Sequence, residues 1–138
     1  MEDKSLINLL DGDVSIVGEL RLYDEVPNNE DCVMIELNVI SNEYTVTNYN
    51  YFEALQELRL ILEQENLQIL CNGAAINVFP SPMMLGMGTG RTAYKLKMGQ
   101  KAKIEDTVDI FETDDSLEFG SVSKQKEYYF EWIHTPKK

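Results

Sequence analysis

The chain has 138 residues, of which 43% are hydrophobic and 26% are charged. A chain of this length and composition can bury a sizeable core, so we expect a globular domain and exclude a disordered protein. The formal net charge of −12 disfavours nucleic acid as a direct partner. The first residues lack the basic start of a signal peptide, and no window approaches the roughly 18 apolar residues of a membrane span. We therefore expect a cytoplasmic protein that does not bind membranes.

Cys32 and Cys71 are the two cysteines, and both lie in strand-like stretches without a framework pattern. Isolated cysteines of this kind are typical of buried free thiols in a reducing compartment, and a disulfide between them is the less favoured alternative. Their arrangement agrees with a cytoplasmic location.

The acidic residues are distributed unevenly. Residues 1–66 carry 15 acidic and 3 basic side chains, residues 67–104 carry 5 basic side chains and no acidic one, and residues 105–138 carry 9 acidic and 4 basic side chains. A negative field suits a basic protein partner, whose approach it would steer and accelerate. The alternative is that the charge serves solubility alone.

Two stretches before residue 50 alternate apolar and polar side chains, over residues 14–24 and over residues 32–41. This alternation predicts two half-buried strands, most simply an antiparallel hairpin. Gly18 falls on the apolar face of the first strand and indicates a bulge or a point of close packing. A short further strand around residues 44–47 has a weaker signal.

The next segment repeats its apolar residues with the period of a helix from Tyr51 onward. Asn48 or Asn50 can cap the first turn, and Asn50 together with Glu53 forms the pattern of a capping box. We expect this amphipathic helix to end near Asn66, which can adopt the left-handed conformation at a helix terminus.

Residues 67–71 are predicted to form a short apolar strand. The dipeptide Asn72-Gly73 that follows is the strongest sequence signal for a two-residue hairpin turn, because both residues tolerate positive φ. Residues 74–79 would then be the returning arm, which Pro80 ends.

A loop rich in proline, methionine and glycine is predicted at about residues 79–92. Alternation predicts strands over residues 93–98 and 107–111, and a final helix capped by Ser121 or Ser123. The order of elements is ββ-α-ββββ-α. It predicts one α+β domain spanning the whole chain, with two helices and a mainly antiparallel sheet of about five to six strands.

Residues that carry catalysis or bind metals are scarce. The single histidine, His134, lies in the last turn of the final helix, where a surface cation is the expected role. Too few Cys and His residues are present for structural zinc, and Asp114-Asp115-Ser116 lacks the ligand spacing of a calcium loop. We expect no catalytic residue, no metal and no cofactor, hence a protein that is not an enzyme.

Three methionines, Met83, Met84 and Met87, fall in the predicted loop, where no periodicity requires them. Unbranched, polarisable side chains in an exposed loop suit an adaptable protein interface, although they would also serve as a lid over the core. The predicted partner contacts are Phe79, Met83, Met84, Met87 and Arg91, with Glu30, Asp31, Asp114 and Asp115 supplying electrostatic steering.

The glycines of the same loop allow a second hypothesis. Backbone amides in a glycine-rich turn can converge on an anion, and nearby basic side chains would add charge. The protein would then be a regulator that binds a small anion or a nucleotide through Gly86, Gly88, Gly90, Arg91, Lys95 and Lys97. The alternative is that this loop is only a flexible or tightly turned connector.

Several short motifs carry a resemblance to a known group of proteins. They are Ile69-Leu70-Cys71-Asn72-Gly73, Asn77-Val78-Phe79-Pro80-Ser81, Met83, Met87-Gly88, Ala93-Tyr94-Lys95-Leu96 and Val108-Asp109-Ile110-Phe111. Together they resemble a group of small, poorly characterised bacterial proteins, some of which are similar to immunity-type proteins encoded beside secreted toxins. The resemblance implies a cytoplasmic binder that neutralises a toxin, and it supplies no active-site residue.

Overall fold

The structure is a computed structural model that describes residues 2–86 and 89–138. It contains eight strands and three helices, together with 3-10 turns at Asn72–Ala74 and Ile104–Asp106. In chain order the elements are β1 (Glu2–Asp11), β2 (Val14–Tyr23), β3 (Val33–Val39), β4 (Asn42–Asn48), α1 (Tyr51–Gln64), β5 (Leu67–Ile69), β6 (Val78–Phe79), α2 (Pro82–Gly86), β7 (Thr92–Lys95), β8 (Thr107–Asp109) and α3 (Val122–His134).

The predicted α+β class with antiparallel pairing is confirmed, but the predicted order and number of elements are wrong in detail. Four strands precede α1 instead of two, and the short helix α2 interrupts the later strands. The strands form two sheets, a five-stranded sheet in the order β4-β3-β2-β1-β5 and a three-stranded sheet in the order β6-β7-β8. Every pairing in both sheets is antiparallel.

Strand β1 was not predicted, because its apolar residues do not alternate cleanly. Ile7 and Leu9 are buried, whereas Leu6 lies on the opposite face and is 74% exposed. The strand pairs with β2 along its whole length through a two-residue turn at Gly12-Asp13, where Gly12 has a φ of +60°. A positive φ at this position is typical of tight hairpin turns.

Gly18 marks a point of close packing and not a bulge. The ladder between β1 and β2 is regular through this residue. A Cβ atom added to Gly18 would lie 3.1 Å from a Leu37 side-chain carbon and 3.2 Å from one of Leu9. A larger residue would therefore press on the core beneath the sheet.

Helix α1 agrees closely with its prediction. The Asn50 side chain accepts a hydrogen bond of 2.9 Å from the backbone N–H of Glu53, and it donates one of 2.9 Å to the Glu53 carboxylate. Beyond the helix, Asn66 has a φ of +60°. The buried face of the helix includes Leu55, Leu58 and Leu62, which pack in the hydrophobic core.

The predicted hairpin at Asn72-Gly73 is wrong. These residues begin a buried 3-10 turn, and β6 pairs with β7 instead of returning along β5. A Cβ atom on Gly73 would lie 2.5 Å from Leu55 Cδ2 and 2.9 Å from Ile110 Cβ. The glycine is required by close packing, so the local preference for a turn is overridden by the tertiary structure.

The segment predicted as a loop at about 79–92 is partly ordered into elements, since it contains α2 and the start of β7. Strand β7 ends at Lys95, short of the predicted 98, and its fully buried side chain is Ala93. Strand β8 likewise ends two residues before its prediction. Short strands suffice here because the small sheet is completed by backbone bonds to neighbouring turns, such as Leu96 N–H to the Asn77 carbonyl.

Helix α3 begins after Ser121, whose hydroxyl accepts a hydrogen bond of 3.1 Å from the Lys124 backbone N–H. Val122 and Gln125 are its buried residues, whereas Ile133 is 47% exposed. Both cysteines are buried and free, as predicted. No described helix is long and apolar enough to cross a membrane.

Candidate functional surface

Part of the predicted contact loop lines one open groove. Met83 and Met84 come from α2, and Thr89 to Thr92 supply the opposite wall. This surface, which we call the methionine groove, has a volume of about 480 Å³ and is lined by Ser81, Met83, Met84, Thr89, Gly90, Arg91, Thr92 and Tyr94. Met83 is 71% exposed. The structure thus brings Met83, Met84 and Arg91 together, whereas Met87 and Gly88 lie outside the described residues.

Thr89 and Gly90 hold this groove against the start of α1. The Tyr51 backbone N–H donates a 2.6 Å hydrogen bond to the Thr89 carbonyl. Gly90 has a φ of +81°, and a Cβ atom there would lie 2.9 Å from Asn50 Cβ. The N-terminus of α1 is therefore capped by a backbone carbonyl and by the Asn50 side chain, in the position where an anion would otherwise bind.

Arg91 joins three parts of the chain. Its guanidinium pairs with Asp3 of β1 at 3.0 Å and with Asp109 of β8 at 3.2 Å. It also lies 5.9 Å from the ring centre of Tyr51 and 5.7 Å from that of Phe111. Burial alone would lower the pKa of Arg91, but the hydrogen bond to Asp3 and the charge of Asp109 outweigh it and raise the pKa. The charge of Arg91 is already compensated within the protein.

The acidic partners of Arg91 were missed by sequence reasoning. Asp3 lies in the strand that was not predicted, and Asp109 was named only within a motif of the family resemblance, without a role. A usable signal was available, because an arginine in the acid-free segment of a strongly acidic chain is expected to attract carboxylates from elsewhere.

The other described residues of the predicted anion site do not come together to form an anion-binding site. Gly86 is exposed at the end of α2, Lys97 is exposed beyond β7, and Lys95 is partly buried within β7. Neither lysine is among the described residues that line the methionine groove.

Phe79 belongs to a row of aromatic rings beside the methionine groove. Its ring stacks on Tyr129 at a centroid distance of 3.9 Å and meets Phe52 edge-on at 5.0 Å. Tyr129 in turn lies 6.2 Å from Trp132, whose indole N–H donates to the backbone carbonyls of Lys97 and Gln100. These contacts tie α3 to the small sheet, so Phe79 is largely a packing residue with one partly exposed edge.

The four acids predicted to steer a partner lie apart from the methionine groove, and none of them lines it. Glu30 and Asp31 are exposed between β2 and β3. Asp115 is exposed after β8, next to Asp114, whose carboxylate accepts hydrogen bonds from the Ser116 hydroxyl and backbone N–H. These bonds lower the pKa of Asp114. The predicted steering residues therefore contribute nothing to the lining of the methionine groove.

A buried polar cluster between α1 and α3 was also missed. We call Arg59, Gln125 and Gln56 the polar seam. Arg59 is 2% exposed and donates to Gln125 Oε1 at 2.7 Å, to the Gly73 carbonyl at 3.2 Å and to the Gly120 carbonyl at 2.8 Å. Burial lowers the pKa of Arg59. All of its observed hydrogen-bond acceptors are neutral.

Gln125 is the centre of the polar seam. Its side-chain amide nitrogen donates to the carbonyls of Gly73, Ala75 and Val78 at 2.8, 2.9 and 2.8 Å. Its oxygen accepts a 2.6 Å hydrogen bond from Gln56 in addition to the bond from Arg59. The sequence does carry a signal for these two residues, because their spacing places them on the buried faces of their helices. Arg59 follows Leu55 by four residues and Gln125 follows Val122 by three.

The described residues offer little for catalysis. Burial raises the pKa of the Cys71 thiol to about 12, which keeps it protonated and poorly nucleophilic. His134 is exposed, with Nδ1 2.8 Å from the Phe130 carbonyl. Among residues 2–86 and 89–138, no three His, Cys, Asp or Glu side chains are grouped so that they could hold a metal ion.

Neither a protein-family model nor a curated protein sequence matches this chain. The fold and the surface define an acidic α+β protein with an exposed methionine groove.

Proposed function

We infer that this chain is a non-enzymatic cytoplasmic binding protein of the immunity type, which neutralises a basic toxin domain by occluding it. The observation that carries the proposal is the exposure of Met83, 71% of which is accessible, on a groove braced by backbone and ion-pair contacts. Exposed methionines adapt to the shape of a partner, and a braced groove loses little conformational entropy on binding.

The surroundings of the groove support an interface more than a lid. Leu85 of α2 packs against the core, while Met83 on the same helix points to solvent. One helix therefore both anchors itself and presents a methionine. The net charge of −12 would attract a basic partner to the protein as a whole.

Among the residues that the structure describes, no observation favours the anion-binding alternative. The amide groups at the start of α1 are already capped, and Arg91 is already paired with two carboxylates. An anion would have to displace Asp3 or Asp109 from the guanidinium, which costs the interactions that these acids make.

The proposal is tested by recovering tagged protein from its own cells and identifying a basic domain that it retains. Expression of that domain alone should arrest growth, and the wild-type chain should restore it. Met83→Asp should fail to restore growth, whereas Ile104→Asp, which alters a residue that is 81% exposed outside the groove, should succeed. Rescue by Met83→Asp equal to that by the wild type would remove the methionine groove from the interface.

Association kinetics test the acids separately. Charge reversal at Glu30, Asp31, Asp114 and Asp115 should slow association with the recovered domain, more at low salt than at high salt. An unchanged association rate would show that these four acids do not steer the partner.

A further inference from the structure

A second open groove runs along α1, on the side that faces α2 and α3. It has a volume of about 510 Å³. Its apolar lining includes Phe52, Phe79 and Leu85, and Leu60 continues this lining further along α1 with 47% of its surface exposed. We call it the α1 groove. Apolar walls of this kind favour the stem of a long side chain or a flat group.

One residue of this lining, Gln56, also carries a buried polar atom that lacks a partner. Gln56 lines the α1 groove and is 9% exposed, and its Oε1 makes no hydrogen bond with any described residue. Leaving a buried amide oxygen unpaired costs free energy, so an acceptor in this state favours a ligand that brings a donor.

The orientation of the Gln56 amide is fixed by the polar seam. Gln125 must direct its NH₂ group toward three carbonyls, so its oxygen is the atom that faces Gln56. Gln56 must then direct its own NH₂ group toward that oxygen. Rotation of the Gln56 amide would place two acceptors in contact, and hence its Oε1 is held as an unpaired acceptor.

Two carboxylates lie at the rim of the α1 groove. Glu53 and Glu57 are both exposed, and each accepts a hydrogen bond from a neutral asparagine amide, at 2.9 and 3.4 Å. Neither forms an ion pair within the part of the chain that the structure describes. Lys126 contributes one positive charge to the lining. Two carboxylates against one ammonium leave this groove negative.

We propose that the α1 groove binds an arginine side chain of a protein partner. The guanidinium would donate to Glu53 or Glu57 and, once a small side-chain movement uncovers this buried atom, to Gln56 Oε1. Its methylene stem would lie against Phe52 and Phe79. Arginine fits better than lysine because its planar fork carries five donors and stacks on aromatic rings. The inference rests on the proposed function for the source of the arginine, since a basic toxin domain would present one.

The probe is the tripeptide N-acetyl-Leu-Arg-Leu amide, titrated into the isotope-labelled full chain and followed by NMR. Saturable shifts are expected at the side-chain amide of Gln56 and at the backbone amides of Glu53 and Glu57. The same peptide with citrulline in place of arginine keeps the shape and loses the charge, and it should bind roughly tenfold more weakly. Equal binding of the two peptides, or no shift at Gln56, would overturn the proposal.

Variants test the contribution of the carboxylates at the rim of the α1 groove. Glu57→Gln should weaken the arginine peptide about threefold, and the difference should shrink when salt rises from about 20 mM to about 300 mM. Glu43→Gln alters an exposed acid on β4 outside the groove and should leave binding unchanged. Equal effects of Glu43→Gln and Glu57→Gln would mean that the acidic surface as a whole attracts the peptide. That result would overturn the proposed site.

The two proposals fail in different ways. Binding of the arginine peptide without recovery of a growth-arresting domain would leave the α1 groove established and remove the immunity function. Recovery of such a domain whose affinity is unaffected by Glu57→Gln, together with no peptide shift at Gln56, would keep the function and remove the arginine site.

Discussion

Two arginines in this protein are held in opposite ways. Arg59 lies in the polar seam, 2% exposed, and its observed hydrogen-bond acceptors are neutral oxygens. Arg91 lies at the methionine groove with 29% of its side chain exposed, and it pairs with Asp3 and Asp109. The first arginine organises the interior and the second braces a surface.

The difference follows from what each arginine connects. Arg59 and Gln125 satisfy carbonyls of the turn at Asn72–Ala74 and of Gly120, which precedes α3. These carbonyls belong to residues that are buried or, at Gly120, partly buried, so losing a donor there is costly. Arg91 joins side chains that water can reach, and exposed ion pairs contribute little to stability. Substitutions in the interior should therefore lower the free energy of unfolding far more than substitutions at the surface.

Gln125→Met should have the largest effect, because one amide serves five hydrogen bonds. The carbonyls of Ala75 and Val78 would lose a donor, and Gln56 and Arg59 would lose an acceptor. We expect the free energy of unfolding to fall by about 3–5 kcal/mol. Equilibrium denaturation with urea measures it.

The matched control for Gln125→Met is Gln64→Met, the same substitution at an exposed position near the end of α1. It should change the unfolding free energy by less than about 0.5 kcal/mol. Similar losses in the two variants would contradict the assignment of the polar seam as the structural centre.

Gly73→Ala should have the next largest effect. The added methyl group would lie 2.5 Å from Leu55 Cδ2, inside contact distance of a packed core. We expect a loss of about 2 kcal/mol in the unfolding free energy, measured by thermal and urea denaturation. Gly86→Ala is the control, since nothing lies within 4 Å of the added atom. An unchanged stability of Gly73→Ala would mean that the turn relaxes freely.

Gly73 also shows where sequence reasoning succeeds and fails. Helix α1 could be predicted because its period, its cap at Asn50 and its end at Asn66 are all local signals. The dipeptide Asn72-Gly73 carries an equally strong local signal for a hairpin, yet the tight turn lies at Gly12-Asp13 instead. Contacts of Gly73 with Leu55 and Ile110 decide the outcome, and no single stretch of sequence contains them.

The candidate surface could likewise be predicted only where its residues lie close together in the sequence. Met83, Met84 and Arg91 share one short segment, so their grouping followed from the sequence. The partner of Arg91 at Asp3 lies 88 residues away along the chain. Gln125 and Arg59 are separated by 66 residues. Side chains that meet across such separations are placed by sheet order and helix packing, which the local patterns leave open.

The buried thiol of Cys71 gives a pH-dependent test of the interior. Burial raises its pKa to about 12 from a value of 9.0 in the unfolded chain. The folded protein therefore keeps a proton that the unfolded chain releases, so this contribution to stability is complete below pH 9 and is lost as pH rises toward 12. The loss approaches about 1.4 kcal/mol per pH unit for one proton.

Cys71→Ala should remove this component. Its unfolding free energy at neutral pH should be lower because of the cavity, but it should fall less steeply than that of the wild type between pH 9 and 12. Urea denaturation across that range gives both slopes. Parallel slopes would show that Cys71 titrates alike in the folded and unfolded chains.

Arg91→Met should have the smallest effect on stability. The guanidinium and both carboxylates are partly exposed, so the ion pairs are screened, and we expect a loss of about 1 kcal/mol or less in the unfolding free energy. The hydrogen bond from Tyr51 to the Thr89 carbonyl does not involve the arginine, so the groove should keep its shape. Urea denaturation at low and high salt should give a difference from the wild type that shrinks as salt rises.

A double-mutant cycle assigns that small loss to its source. In an Asp3→Asn background the effect of Arg91→Met should become smaller, because one of the two ion pairs is already gone. A loss as large as that of Gln125→Met, insensitive to salt and to Asp3→Asn, would make Arg91 a second structural centre. Such a result would end the contrast between the two arginines.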